Sequence, residues 1–115
     1  MDFSEVSYRR RTAIEDELLA LMREVPFEQI TVLDIAQRQN IARKTFYRYF
    51  PNKQSCLEGL MDRTIYECSI RVLRHSGEGG DMYRHFESWL AYWMEKREFL
   101  DAVIRNRLEL LLVFL

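Results

Sequence analysis

The sequence predicts an all-α fold, and three observations predict it. Apolar residues recur at helical spacing through most of the chain. Four glycines and two prolines in 115 residues leave too few turn signals for a β-protein, which needs one every ~8–12 residues. A composition that is 48% hydrophobic and 30% charged is that of a globular chain and not of a disordered one. The length suits one domain, or one domain and part of another, with an apolar core.

The first helix is expected over residues 12–25, where Ile14, Leu18, Leu21, Met22 and Val25 share a face and Glu15, Asp16, Glu17, Arg23 and Glu24 supply the wet side. Pro26 ends it. Residues 1–11 read as an N-terminal arm bearing Arg9, Arg10 and Arg11. Thr31 reads as the N-cap of a short second helix carrying Val32, Ile35 and Ala36, with Asp34 completing a capping box by a shorter acid than usual. A tight turn follows at Gln39–Asn40, because Asn40 tolerates the left-handed conformation that ends helices.

A third helix is expected over residues 42–50, closed by Pro51–Asn52. At 100° per residue, Ala42, Phe46, Tyr49 and Phe50 form its packing sector. Lys44, Tyr47 and Arg48 point the other way, with Arg43 on the flank. Residues 53–74 read as a long linking helix, and 75–81 as a flexible link holding three of the four glycines. Two more helices are expected over residues 82–96 and 99–115.

The net charge of −1 argues against indiscriminate coating of nucleic acid. The total hides an asymmetry. Between Asp34 and Glu58 there is no acid, while Arg38, Arg43, Lys44, Arg48 and Lys53 carry positive charge. Two short helices joined by a tight turn, the second with a basic and aromatic outer face, make the helix-turn-helix pattern. The chemistry fits: the major groove is about 12 Å wide and admits one helix, whose Arg or Lys reaches guanine O6 and N7.

The residues that carry this pattern also resemble a known family. Thr31-Val32-Leu33-Asp34-Ile35-Ala36, followed by Thr45-Phe46-Tyr47-Arg48-Tyr49-Phe50-Pro51-Asn52-Lys53, is similar to the signature of tetracycline-repressor (TetR) type regulators, over roughly residues 11–60. The resemblance implies a helix-turn-helix DNA-binding domain at residues 1–52, then a helical ligand-binding and dimerisation domain beginning at residue 53. It implies that Thr31 contacts a phosphate, that Arg43, Lys44 and Thr45 reach bases or phosphates, that Tyr47 and Tyr49 lie against the backbone, and that Lys53 clamps a phosphate. The implied function is that of a ligand-responsive repressor, a homodimer on a pseudo-palindromic site in double-stranded DNA. Lys44, Ala42 and Tyr49 stand where the family commonly has glycine, a small hydroxyl residue and histidine, so the resemblance does not carry an operator sequence with it.

In the second half, Phe86, Trp89 and Trp93 share a helix face and are candidates to line a site for a small apolar effector. The apolar run at residues 110–115 needs a cover, so the chain reads as truncated, with an incomplete regulatory domain. An alternative is a TetR-like co-regulator or adaptor whose second half binds a protein.

Catalysis is not expected. His75 and His85 flank or follow the glycine link, Cys56 and Cys68 have no neighbouring histidine in sequence, no metal-ligand spacing is present, and there is no phosphate-cradling glycine loop or cofactor motif. Cys56 and Cys68, twelve residues apart in one helix, stand about 18 Å apart, too far for a disulfide. Free thiols fit a reducing compartment. With no signal-like N-terminus and no apolar run of membrane-spanning length, the expected location is the cytoplasm, away from membranes.

Overall fold

The computed structural model describes the backbone of residues 3–76 and 82–106. Along it run α1 (Phe3–Glu24), a 3-10 turn (Phe27–Gln29), α2 (Val32–Arg38), α3 (Arg43–Tyr49), α4 (Lys53–Ser76), α5 (Met82–Glu95) and α6 (Arg97–Arg105). The fold is all-α, as expected. The chain divides into two compact units, Met1–Leu60 and Met61–Leu115, with the division inside α4. Residues 77–81, most of the glycine link, lie outside the described residues, as do 107–115 with their apolar run.

In the first unit, α1 begins at Phe3 and not at residue 12, so the arm expected there is helix. Nothing between residues 3 and 11 breaks a helix, and two ion pairs at i, i+4 spacing support it: Arg9 with Glu5 at 3.2 Å and Arg11 with Glu15 at 3.8 Å. The apolar face of α1 (Ile14, Leu18, Leu21 and Met22) is buried as its spacing requires. Phe27, Ile30, Ile35, Phe46 and Phe50 join it from the following elements. Cys56, Leu57 and Leu60 complete this core, which is why the first two turns of α4 belong to the first unit.

Gly59 shows how closely α4 approaches α1. A Cβ there would stand 2.4 Å from Glu15 Oε2 and 3.3 Å from Phe50 Cε1. The absent side chain leaves room for the carboxylate of Glu15, which is only 2% exposed.

The second unit is built on Tyr92, 1% exposed, whose hydroxyl donates to the Thr64 carbonyl at 2.8 Å. Burial pushes this phenol up to about 12. Met61, Thr64, Cys68, Phe99, Ala102 and Val103 are buried in the same unit. Burial also pushes the Cys68 thiol up, opposed by the Trp93 indole N–H and by Arg71. Lys96 explains why α6 starts at Arg97 and not at 99. Its N–H closes α5 on Tyr92 O at 3.1 Å, and its carbonyl accepts Leu100 N at 3.1 Å, so one residue ends one helix and starts the next.

Candidate nucleic-acid interface

The first unit places a short helix for display. α2 packs on both α1 and α3. Its start is fixed by a full capping box: Asp34 N donates to Thr31 Oγ1 at 3.1 Å, and Thr31 N donates to Asp34 Oδ2 at 2.9 Å. The shorter acid suffices. Its end is a Schellman turn, in which Asn40 N donates to Gln37 O at 3.2 Å and Ile41 N to Ala36 O at 3.0 Å. Asn40 takes φ 56°, the left-handed conformation expected of it. A clasp to α1 holds the same end: Arg38 pairs with Glu17 at 3.1 Å and with Glu24, and Gln39 Nε2 donates to Glu17 at 2.8 Å. The hydrogen bond to Glu24 raises the Arg38 pKa above its ordinary value, with Glu17 adding to the effect.

The direction of α3 follows from these constraints. Phe46 is fully buried and Phe50 is 1% exposed, their rings 5.7 Å apart, so this side of the helix faces the core. Arg43, Lys44, Tyr47 and Arg48 are consequently exposed. Thr45 and Tyr49 are half-buried on the flanks. Arg43, Lys44 and Arg48 form no ion pair among the described residues. Desolvating a paired cation costs its partner as well, so unpaired cations are the ones available to a polyanion.

This arrangement has relatives. Residues 14–60 match the family model for bacterial regulatory proteins, tetR family. Residues 14–60 are thus a TetR-family helix-turn-helix unit. Among curated proteins it is similar to the HTH-type transcriptional repressor KstR of Mycolicibacterium smegmatis, with 31% identity over 81 residues, covering 70% of this chain and 40% of KstR. It is also similar to the HTH-type transcriptional regulator EthR of Mycobacterium tuberculosis, with 38% identity over 52 residues, covering 45% of this chain and 24% of EthR. The chain thus spans less than half the length of these curated relatives. No solved structure matches it significantly.

Within the TetR-family unit, the residues singled out in the sequence do not all come together. Thr31, Arg43, Lys44 and Tyr47 are exposed, and Thr31 still has its hydroxyl proton to donate, since it uses only a lone pair in the capping box. Lys53 has another task. Its ammonium donates to the carbonyls of Phe27 at 2.8 Å, Glu28 at 3.2 Å and Ile30 at 2.9 Å, and stands 4.5 Å from the Phe27 ring centroid. An ammonium has three donors, and all three are engaged within the protein. In this structure Lys53, expected to clamp a phosphate, locks the turn that leads into Thr31. Sequence spacing gave no sign of this, because the acceptors lie 23–26 residues away.

The second unit holds a mostly apolar groove of about 640 Å³ lined by Ile65, Trp89, Leu90, Trp93, Met94, Arg97 and Leu100. Trp89 and Trp93 line it, their rings 6.4 Å apart. Phe86 does not line the groove; it stacks on Trp89 at 6.2 Å and is 58% exposed. Among the described residues no helix is long and apolar enough to cross a membrane, and no group of His, Cys, Asp and Glu could hold a metal ion.

Proposed function

We propose that the protein is a DNA-binding transcriptional regulator that acts as a homodimer and represses by occupying a pseudo-palindromic site. The observation that carries this is the unpaired cationic face of α3, held outward by Phe46 and Phe50 in a TetR-family unit. α3 enters the major groove, with Arg43 and Lys44 at its N-terminal end nearest the base edges. Thr31 donates its hydroxyl to a backbone phosphate from the capped start of α2. Tyr47 and the flank residues Thr45 and Tyr49 lie along the sugar-phosphate strand. Lys53 positions Thr31 by fixing the turn before it. Two copies place their recognition helices in successive major grooves, about 34–36 Å apart. The repressor reading draws on KstR, whose described role is repression.

The groove beside Trp89 and Trp93 receives a small apolar effector. Its volume falls within the range of about 300–1,000 Å³ usual for ligand sites. An effector that binds the DNA-free state more tightly shifts the population away from DNA. Phe86 contributes by supporting the Trp89 ring.

A salt titration of binding tests this reading, using the DNA flanking the protein's own gene and a scrambled duplex. Tighter binding to the first, with affinity falling steeply as salt rises, is the expected result. Arg43→Ala should then cost about 1–3 kcal/mol on the matched site and relax sequence preference. Equal, weak binding to both duplexes would overturn the regulator and favour an adaptor that docks a protein.

A further inference from the structure

Arg9, Arg10 and Arg11 are consecutive in sequence but meet three different fates. The helix places them about 100° apart around α1. Arg9 turns to Glu5 at 3.2 Å. Arg11 is held between the buried Glu15, at 3.8 Å, and the Phe50 ring, 4.6 Å from its centroid. Arg10 is exposed and has no ion pair among the described residues.

Arg10 also lines two clefts that α1 and α3 wall together. It lines a cleft of about 520 Å³ together with Val6, Ser7, Arg11, Arg48 and Tyr49. On its other side it borders a second cleft with Gln39, Asn40 and Thr45. Thr45, Arg48 and Tyr49 are spaced i, i+3, i+4, the flank of α3 that faces α1. The first cleft is therefore walled by three guanidinium groups, and none of its six lining residues is an acid. Only Arg11 among the three is neutralised within the protein. Two unpaired guanidinium groups on one cleft repel each other until an anion sits between them, and their planar forks match phosphate oxygens in pairs.

We propose that Arg10 and Arg48 form a clamp, built jointly by α1 and α3, that grips one backbone phosphate of the DNA beside the groove occupied by α3. The proposal rests on the DNA-binding reading above. Arg48 links the two, since it belongs both to the exposed face of α3 and to the cleft. The occupant is a phosphate of the duplex, because the cleft opens beside the recognition helix and a bound duplex brings its backbone there. The contact adds affinity and fixes register without reading a base.

The test compares Arg9→Ala with Arg10→Ala in the full chain. The two variants remove the same charge one residue apart, so general electrostatics treats them alike. Filter binding to a matched and a scrambled duplex is followed across a salt series, with thermal denaturation confirming that both variants fold. The expected result is that Arg10→Ala weakens both duplexes several-fold and lowers the slope of log K against log salt by about 0.9, the value for one phosphate. Arg9→Ala leaves the slope in place, and Arg10→Lys restores most of it. Because both arginines hold one phosphate, the Arg10→Ala, Arg48→Ala double variant loses no more slope than about one phosphate's worth.

Equal effects of Arg9→Ala and Arg10→Ala would overturn the clamp while leaving DNA binding intact. So would a double-variant loss of about two phosphates, which means separate contacts. Inorganic phosphate added at constant ionic strength should leave the Arg10 contribution unchanged. Its disappearance would make free phosphate the occupant and overturn the proposal. A wild-type chain that binds neither duplex would remove the DNA-binding reading itself, and the clamp with it.

Discussion

The two units differ in where their phenylalanine and tryptophan rings mostly lie. In the first, Phe27, Phe46 and Phe50 are buried while Tyr8 and Tyr47 are exposed, and caps, clasps and the Lys53 lock answer the polar groups around the buried rings. In the second, Phe99 and Tyr92 are buried, the tyrosine with its hydroxyl satisfied, while Tyr83, Phe86 and Trp89 are exposed by 71%, 58% and 47%. Burying an aromatic ring stabilises a fold by removing its large surface from water. Exposed rings contribute little to the fold and leave surface for something else to cover. The first unit is organised to hold one helix rigidly; the second presents an apolar face.

The sharpest way to break this contrast is to delete one ring from each unit. Phe46→Ala should cost about 3–5 kcal/mol, measured by urea unfolding, because it removes a fully buried ring and leaves a cavity behind α3. A loss below about 1 kcal/mol would mean that α3 is not held by its core face. Lys53→Ala should cost about 2 kcal/mol, since three carbonyls lose a charged donor. Its salt slope for DNA should stay near that of the wild type. A slope lowered by about 0.9 without loss of stability would restore the phosphate contact.

Smaller effects refine the comparison. Thr31→Ala should cost about 1 kcal/mol by uncoupling the capping box, and Thr31→Asn should recover much of that stability. Phe86→Ala should change stability by no more than about 0.5 kcal/mol, as expected of an exposed ring. A loss of several kcal/mol there would show that the aromatic face of α5 is part of the fold, and the contrast between the units would fail.

Features set by neighbouring residues were legible in the sequence, and those set by distant ones were not. The Thr31–Asp34 box, the left-handed Asn40 and the inward pair Phe46 and Phe50 each follow from spacings of four residues or fewer or from one residue's conformational tolerance. The Lys53 lock and the Arg38 clasp depend on chain that returns after 14–26 residues, which periodicity does not encode. The start of α1 is set by neighbouring residues as well. Glu5–Arg9 and Arg11–Glu15 stand at i, i+4, a helix-supporting signal that outweighs the local charge repulsion of three consecutive arginines. On α5, the shared face of Phe86, Trp89 and Trp93 was legible, while which of them turns toward the groove depends on Ile65 and Leu100 from other helices.

The groove has one more consequence. The chain has two tryptophans, and both line it. Trp89 is half in solvent, whereas the Trp93 indole nitrogen is buried without a well-formed hydrogen bond. Intrinsic fluorescence excited at the indole band therefore reports on the second unit alone, while the far-ultraviolet helical signal reports on both. Without any label, the protein carries an optical handle by which melting of the second unit can be followed separately from that of the unit that holds α3.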